Sequence, residues 1–352
     1  MTDTVRVPCD ELRALTHAAL EAVGVPPADA ADAGDVLWRA QMMGITTHGV
    51  RRLIPYIQRI HDGAIDPNPT IEHVRKAPSI TVIDGGNGLG PVIGSRGTAE
   101  AIRLARETGI GYVACRASHH FGPVMPYLLR AVEAGMVCFM GTNVQPVMAP
   151  WRGARLAHGN NPIGFGGPRR DGYPFLLDIA ISVVAFSKLR HAKEAGEPIP
   201  EGWAADSAGR PTTDPVAGMG GWVLPIGGHK GYGLALAVEM LAAGLAGGAL
   251  GTEVHGLFER GPRAQGVCHF FMAIDPERTI GLDAFRDRME VLCAMMHDTP
   301  AVDPAEPVLV PGEPECALMA DCEANGVPLP AQWLDEIRGL ARGEMPRSMP
   351  EA

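Results

Sequence analysis

The sequence lacks the features that would direct a chain to a membrane, to secretion or to nucleic acid. No basic segment precedes an uninterrupted apolar stretch near the N-terminus, so we expect no signal peptide. No run approaches the roughly 18 consecutive apolar residues of a membrane span. The longest candidate, residues 231–250, contains Glu239. A formal net charge of −10 without a cluster of Lys and Arg argues against nucleic acid as a partner.

Cysteine is scarce and irregularly spaced, which argues against a disulfide framework. There are seven cysteines, and only Cys316 and Cys322 lie close together, at a spacing that fits no common zinc motif. We therefore expect reduced thiols, a cytoplasmic location and no metal. No His-x-x-x-His pair is present, so a metal-dependent hydrolase with His48, His120 and Asp178 as ligands is the weaker alternative.

The glycine-rich dinucleotide fingerprint of Rossmann folds is also missing. No G-x-G-x-x-G follows a predicted strand and opens a helix with an acidic residue about 20 positions later. Residues 86–90, GNGLG, come nearest and fit poorly. If a dinucleotide binds this chain, a backbone segment other than a Rossmann glycine loop has to hold it. Nothing in the sequence distinguishes NAD from NADP.

What the sequence does have is a large apolar fraction in alternating helices and strands. Of 352 residues, 46% are hydrophobic and 20% charged, and 44 are glycine, which indicates an α/β enzyme of two domains. Apolar spacing predicts helices at residues 10–23, 27–43, 46–63, 91–108, 126–134, 182–195, 231–246, 283–297 and 330–342. Strands are predicted at residues 71–76, 79–84, 111–115, 136–141, 163–166, 175–179 and 267–273, with a long loop at 197–221 and a turn at 311–315.

Residues 115–178 contain the densest set of unusual turns. His119 and His120 precede Phe121-Gly122, and three Gly/Asn/Pro-rich turns separate apolar, strand-like runs. Glycine and asparagine tolerate positive φ and close approach of the backbone to a ligand. This composition suits a flat or phosphorylated ligand. It predicts a nucleotide-cofactor oxidoreductase, with a non-catalytic nucleotide-binding protein as the alternative.

A predicted helix capped by Thr46 or Thr47 carries the strongest candidate for proton transfer. His48 would lie in its first turn, with Arg52 and Tyr56 following at intervals of four residues on the same face. The dipole at a helix N-terminus disfavours the imidazolium and would lower the pKa of His48. A capping or core histidine is the alternative, but Arg52 on the same face could bind a carboxylate. Arg51 is expected to face solvent.

Three further residues could line the same site. Adjacent residues leaving a strand face opposite ways, so we expect His120 to reach the site and His119 to be structural. Asp178 ends an apolar strand and needs a partner, for which a histidine is the first choice and a helix beginning near Ser182 the second. Lys230, in GGHKGYG before a helix, could meet a phosphate or a carboxylate.

Together these segments resemble the type 2 malate/L-lactate dehydrogenase family. The resemblance covers nearly the whole chain and is carried, in the family's order, by THGVRRLIPY, SHHFG, TNVQPVMAPW, GNNPIGF, LDIAIS, PEGWAADSAGRPTTDP, GGHKGYGLALAVEM and VPGEPE. It implies a non-Rossmann α/β fold with a mixed sheet and a helical N-terminal region, and a homodimer. It also implies an NAD(P)-dependent oxidoreductase that transfers a hydride between nicotinamide and a small 2-hydroxy or 2-oxo acid, or alternatively a reductase of cyclic imino acids such as piperideine- or pyrroline-2-carboxylate.

The resemblance also implies a role for individual residues. His48 after Thr47 would be the proton donor and acceptor, and Arg52 would bind the substrate carboxylate. From its position on the same helical face, and not from the resemblance, Tyr56 could close the pocket, with simple packing as the alternative. His120, Asp178 and Lys230 would lie where cofactor and substrate meet. Further contacts to the cofactor would come from Phe121, Gly122, Asn143, Asn161, Pro162, Ile179, Ala180, Pro311, Gly312 and Glu313.

The predicted domains and two departures from the family complete the expectations. A substrate and dimerisation domain is predicted at residues 1–118 with 275–352, and a cofactor domain at 119–274. Ile179-Ala180-Ile181-Ser182 stands where Met-Ala-Thr-Ser is common, which removes a hydroxyl near the cofactor. The bulkier run from Pro123 to Pro126 replaces small residues after His-Phe-Gly, and bears on which substrate fits.

Overall fold

The computed structural model describes residues 4–347, which form helices and strands in mixed order. The helices are α1 Cys9–Glu21, α2 Pro27–Met42, α3 Leu53–His61, α4 Gly90–Thr108, α5 Met125–Glu133, α6 Phe186–Ala195, α7 Pro215–Met219, α8 His229–Glu239, α9 Leu282–His297, α10 Glu313–Asn325 and α11 Ala331–Ala341. The strands are β1 Thr4–Val7, β2 Glu72–Ala77, β3 Ile80–Asp84, β4 Ile110–Ser118, β5 Val137–Thr142, β6 Ile163–Gly167, β7 Phe175–Ile179, β8 Ala204–Ala205, β9 Pro211–Thr212, β10 Trp222–Val223, β11 Val267–Ile274 and β12 Val327–Pro330.

A seven-stranded mixed sheet forms the centre of the fold. Its strand order is β2-β3-β4-β11-β5-β6-β7, in which β3 and β4 are parallel and the other neighbours are antiparallel. The α4 helix makes the connection between the two parallel strands, as a parallel pair requires. The predicted α/β architecture with a mixed sheet and a helical N-terminal region is therefore confirmed.

Both faces of this sheet are buried. On strand β11, Phe271 and Ala273 point into a core formed with α4 and α5, whereas Cys268 and Phe270 point into a second core formed with α6 and α8. This alternation follows from the two-residue period of a strand. A third core holds α1, α2, α3 and α11 together around the β1–β12 pair. No helix of residues 4–347 is long and apolar enough to cross a membrane.

The predicted division into two domains stays a prediction. One sheet joins β4, which belongs to the first predicted segment, to β5 and β11, which belong to the second. The boundary at residues 118 and 119 therefore falls within a continuous sheet. The outermost residues of the predicted segments, 1–3 and 348–352, lie outside the described residues.

The predicted helix at residues 46–63 begins later than expected. Residues Thr46–His48 and Val50–Arg52 form two short 3₁₀ turns, and α3 begins only at Leu53. The interruption lies at Gly49, whose backbone is extended and packs so closely on Gln41 that a Cβ would come within 2.4 Å of its amide oxygen. His48 is therefore not in the first turn of an α-helix, and that prediction is wrong.

Three other stretches also differ from the expectation. The helix predicted from Ser182 begins at Phe186, because Val183 donates its amide to Leu224 and Ser182 pairs with Pro225 in an isolated bridge. The predicted turn at 311–315 leads directly into α10, a helix that the apolar pattern missed because only Cys316 and Cys322 of it are buried. The loop at 197–221 is ordered by a three-stranded sheet of β8, β9 and β10.

Candidate active site

Two histidines from distant parts of the chain stack at the centre of the site. The ring centroids of His48 and His120 lie 5.3 Å apart with an interplanar angle of 23°. His120 Nδ1 accepts the backbone N–H of Gly122 at 3.3 Å, so this nitrogen carries no proton. The hydroxyl of Tyr56, 2.8 Å from the same nitrogen, therefore donates to it. The neutral ring of His120 consequently carries its proton on Nε2.

His48 is held in its neutral form by its surroundings. Its Nδ1 lies 2.9 Å from Oγ1 of Thr47, which leaves Nε2 free for a ligand. Burial, followed by the positive charge of Arg52, lowers the pKa of His48 to about 3. The direction agrees with the prediction, but its cause is desolvation and a neighbouring charge, since no α-helix begins at this residue.

Arg52 lies beside His48 and is short of partners. Its Nε donates to the carbonyl of Thr47 at 2.7 Å, and its guanidinium carbon lies 5.5 Å from the ring centre of Phe258. Among the described residues it forms no ion pair. Burial is the main cause that lowers the pKa of Arg52 to about 10, and the charges of Arg190 and Arg51 act in the same direction. A partly buried guanidinium without a carboxylate partner favours an anionic ligand.

Asp178 has a different partner from either of the two that the sequence suggested. Its Oδ2 accepts the backbone N–H of Met125 at 2.9 Å, at the beginning of α5, and no histidine is among its hydrogen-bond partners in residues 4–347. It thus caps α5 and not the helix that follows Ser182. Burial raises the pKa of Asp178 to about 6, although hydrogen bonds from the backbone of Met125 and Val124 act against this shift.

One cavity brings most of the predicted residues together. Its volume is about 310 Å³, and Thr47, His48, His120, Phe121, Gly122, Pro162, Asp178 and Ala180 all line it. Pro123 and Ala185 add small apolar surface, while Gln145 and Asn160 contribute amide groups. A wall of small apolar residues with a few amides fits a flat ring that bears a carboxamide, as nicotinamide does.

A second, larger cavity adjoins the first. Its volume is about 690 Å³, and it shares Thr47 with the first cavity. Arg52 lies in its wall together with Arg51, Arg190 and Phe258. Arg51 is exposed, as predicted, and its guanidinium carbon lies 4.8 Å from the ring centre of Trp333.

The side chains of Asn143 and Asn161 lie outside both cavities. Both are completely buried, and each donates from Nδ2 to the carboxylate of Glu239 at 3.1 Å. The oxygen of Asn143 accepts the N–H of Cys268 at 2.8 Å, and that of Asn161 accepts the N–H of Val144 at 3.1 Å. Their polar groups are occupied inside the protein, where they donate hydrogen bonds to a buried carboxylate of α8.

Lys230, Ile179 and the turn at 311–313 also lie outside the lining of the two cavities. Lys230 is exposed in the first turn of α8. Ile179 packs against the core between the sheet and α8. Glu313 pairs with Arg169 at 3.4 Å and with His297 at 3.0 Å, which gives it a structural role. Glu315, in the first turn of α10, lines the first cavity.

Sequence reasoning missed the loop that carries Phe258 and Gln265 to the site. Gln265 Oε1 accepts the backbone N–H of His120 at 3.0 Å. Arg59, whose side chain is completely buried in α3, fixes this loop by donating to the carbonyls of Glu259, Gly261 and Arg263. Nothing in the sequence of the loop marks it as functional, because its position depends on an arginine far along the chain.

Comparison with known proteins agrees with this architecture. The family model described as malate/L-lactate dehydrogenase matches residues 7–338. A malate dehydrogenase of Pyrococcus abyssi is 38% identical over 346 residues, which cover 96% of this chain and 94% of that protein. A Δ1-pyrroline-2-carboxylate reductase of Ancylobacter novellus is 31% identical over 343 residues, or 97% of this chain and 98% of that protein.

A solved structure gives the same result in three dimensions. The sulfolactate dehydrogenase of Methanocaldococcus jannaschii superposes with a TM-score of 0.88 at 34% identity, over 96% of this chain and 97% of that one. The family and its relatives are oxidoreductases, in agreement with the stacked histidines and the unpaired guanidinium beside them. The chain described here belongs to the malate/L-lactate dehydrogenase family.

Proposed function

We propose that this protein reduces a small 2-oxo acid to the corresponding 2-hydroxy acid with NADH or NADPH, and catalyses the reverse reaction. In the reducing direction the carbonyl carbon gains a hydride and the carbonyl oxygen gains a proton, while the nicotinamide is oxidised. The single observation that carries the proposal is the proximity of a neutral histidine, His48, to Arg52, an arginine that pairs with no carboxylate within residues 4–347.

His48 is the group we assign to the proton. Thr47 occupies its Nδ1, so Nε2 is the nitrogen that would face the substrate oxygen. The low pKa of His48 depends in part on the charge of Arg52. A substrate carboxylate bound to Arg52 would offset that charge and raise the pKa of His48 towards neutrality, where proton transfer is most effective. Binding of substrate would thus prepare the histidine for its role.

Arg52, Tyr56 and His120 would fix the geometry of the substrate. A guanidinium binds a carboxylate through two parallel hydrogen bonds, which sets the orientation of the adjacent carbonyl. Tyr56 holds His120 in the tautomer with its proton on Nε2, so that nitrogen could donate to the substrate or the cofactor. All three groups therefore contribute alignment more than chemistry.

The first cavity would hold the nicotinamide. When bound, this group supplies or accepts the hydride. Gly122, Pro123, Pro162 and Ala180 would pack against the ring, and Phe121 would support them from the buried side. Asp178 would keep the beginning of α5 in place beneath it. For Lys230 and for the turn at 311–313, contact with the rest of the dinucleotide stays a prediction.

A second candidate function is the reduction of a cyclic imino acid. It is favoured by the relative named Δ1-pyrroline-2-carboxylate reductase. The same groups would serve, because such a substrate also has a carboxylate for Arg52 and a C=N bond in the place of the carbonyl. His48 would then exchange its proton with nitrogen instead of oxygen.

We further propose that the protein acts in the cytoplasm as a homodimer. The seven cysteines are unpaired, which suits a reducing compartment. The α8 helix and the π-helical turn after it expose Leu234, Met240 and Leu245, and 60% of the surface of Met240 is accessible. An apolar stripe of this kind favours burial against a second copy. Sedimentation of the purified protein would test the dimer.

The test of the proposed reaction is the oxidation of NADH and NADPH with a panel of substrates. The panel contains pyruvate, oxaloacetate, sulfopyruvate, pyrroline-2-carboxylate and piperideine-2-carboxylate. We expect turnover of at least one 2-oxo acid. Turnover of the cyclic imines alone would favour the second candidate. Absence of turnover, together with absence of cofactor binding by fluorescence, would contradict both functions.

A further inference from the structure

Three side-chain amides line the first cavity, and they differ in what they offer to a ligand. They belong to Gln145, Asn160 and Gln265. Both ends of Gln265 are occupied, because its Oε1 accepts the N–H of His120 and its Nε2 donates to the carbonyl of His255. Gln145 forms no side-chain hydrogen bond with the described residues, so nothing fixes its amide. Asn160 is held in place and can still accept a further hydrogen bond.

The orientation of the Asn160 amide follows from the direction of two hydrogen bonds. The hydroxyl of Ser182 donates its only hydrogen to the carbonyl of Val184 at 2.7 Å. The hydroxyl oxygen therefore accepts from Asn160, whose Nδ2 lies 3.0 Å away. Because Nδ2 of Asn160 faces Ser182, Oδ1 faces away from it. The hydrogen bonds thus fix which end of the amide is the oxygen, as an assignment of this kind requires.

The backbone on both sides of this side chain is also held. The carbonyl of Asn160 accepts the N–H of Ile181, just after β7, at 2.7 Å. The next residue, Asn161, is completely buried, accepts the N–H of Val144 and donates to the carbonyl of Ala235. Oδ1 of Asn160 therefore has a fixed place in the wall. A ligand that binds there loses little free energy in ordering the protein.

Oδ1 of Asn160 is an acceptor that has no donor among the described residues. It is not one of the side-chain atoms that are closed off from solvent. Pro162, Ala180 and Ala185 present apolar surface in the wall of the same cavity. The group that complements this arrangement is an N–H carried by a flat, apolar ring. A nicotinamide has such a group in the NH₂ of its carboxamide.

Resting on the proposed function, we infer that Asn160 recognises the carboxamide of the cofactor. Oδ1 of Asn160 accepts an N–H of the carboxamide, and Ser182 is the positioning residue that keeps Oδ1 in this orientation. The contact restricts the rotation of the nicotinamide ring and so favours one of its two faces towards the substrate. The protein should therefore bind nicotinamide in preference to a ring of the same size whose substituent has no N–H.

The test compares the cofactor with its 3-acetylpyridine analogue, in which a methyl group replaces the NH₂ and the carbonyl is retained. The oxidised dinucleotide that binds more tightly, NAD⁺ or NADP⁺, is used with the matching analogue, and calorimetric titration without substrate gives each Kd. Asn160→Leu removes the acceptor at similar volume, and Asn160→Asp retains an acceptor. Ser182→Ala removes only the hydroxyl that orients the amide. Asn68→Leu, at an exposed position outside both cavities, is the control.

The wild type should bind the natural cofactor about three- to tenfold more tightly than the analogue, since the analogue lacks one hydrogen bond. Asn160→Leu should reduce this ratio to about one, Asn160→Asp should retain it, and Ser182→Ala should give an intermediate value. Asn68→Leu should keep the wild-type ratio. A merely structural loss would weaken both ligands equally and leave the ratio unchanged. An unchanged ratio in Asn160→Leu, or in Ser182→Ala if Asn160→Leu does not fold, would overturn the inference.

The same titrations separate this inference from the proposed reaction. If the cofactor binds with the expected ratio but no 2-oxo acid or cyclic imine is reduced, the reaction is wrong and the carboxamide contact stands. If a substrate is reduced but the ratio does not depend on Asn160, the contact is wrong and the reaction stands. If neither NAD⁺ nor NADP⁺ binds to the wild type, both are wrong.

Discussion

The hydroxyl of Tyr56 donates to Nδ1 of His120 at 2.8 Å and, together with the longer bond from the N–H of Gly122, holds the proton of this histidine on Nε2 at the centre of the site. The rings are close as well, with centroids 5.9 Å apart. Tyr56 comes from α3 and His120 from the end of β4, so one hydrogen bond connects the helical N-terminal region to the central sheet. Burial raises the pKa of Tyr56, which keeps its hydroxyl protonated and able to donate.

Replacement of Tyr56 by phenylalanine should therefore affect stability and the tautomer together. The variant leaves His120 Nδ1 with only the longer bond from Gly122. We expect the free energy of unfolding to fall by about 0.5–1.5 kcal/mol, the usual value of one such bond. Urea unfolding measures the fall, and the nitrogen chemical shifts of His120 report the tautomer. A variant of unchanged stability with a proton still fixed on Nε2 would contradict this role.

Asp178 should make stability depend on pH in the acidic range. Its pKa is raised from 3.8 to about 6, so the folded state holds a proton that the unfolded state has already lost between these values. The free energy of unfolding should therefore fall as the pH rises from about 4 to about 6. Asp178→Asn should flatten this part of the profile. Asp171→Asn, at an exposed position, is the control and should not. Parallel profiles for the wild type and Asp178→Asn would contradict the assignment.

Arg59 should be important for the loop that carries Phe258 and Gln265. Arg59→Met would leave three partly buried carbonyls without the Arg59 donor, at a cost of about 2–4 kcal/mol in the free energy of unfolding. It should also raise KM for the 2-oxo acid. The reason is that Phe258 and Gln265, whose side chain accepts the N–H of His120, would both shift. Arg263→Met removes an exposed side chain of the same loop and serves as the control. Thermal unfolding and steady-state kinetics measure the two effects, and an unchanged KM in a destabilised Arg59→Met would show that the loop does not position the site.

Local patterns were sufficient to predict most of the fold. The apolar run of β11 and the helix α4 lie within a few residues of their predicted bounds. Errors occurred where a contact distant in sequence decides the local structure. Gly49 ends the first turn after Thr46 because α2 lies against it, and that contact cannot be inferred from the residues around His48.

The candidate site shows the same limit. Thr47, His48 and His120 were predicted together and line one cavity. Asn143 and Asn161 belong to conspicuous turns, yet their side chains bind Glu239, a buried carboxylate whose need for donors appears only when α8 is packed. Arg190 was missed for the opposite reason, since an arginine within an exposed helical pattern gives no sign of the cavity that it lines.

The central claim is that His48 exchanges the substrate proton, and it is tested most directly by the turnover of His48→Ala. Any 2-oxo acid that the wild type reduces can be used, with His61→Ala, at an exposed position at the end of α3, as the control. We predict a loss of about 10²–10⁴ in kcat, the usual contribution of a general acid–base residue, with an unchanged Kd for the reduced cofactor by fluorescence. Turnover of His48→Ala close to that of the wild type would contradict the account.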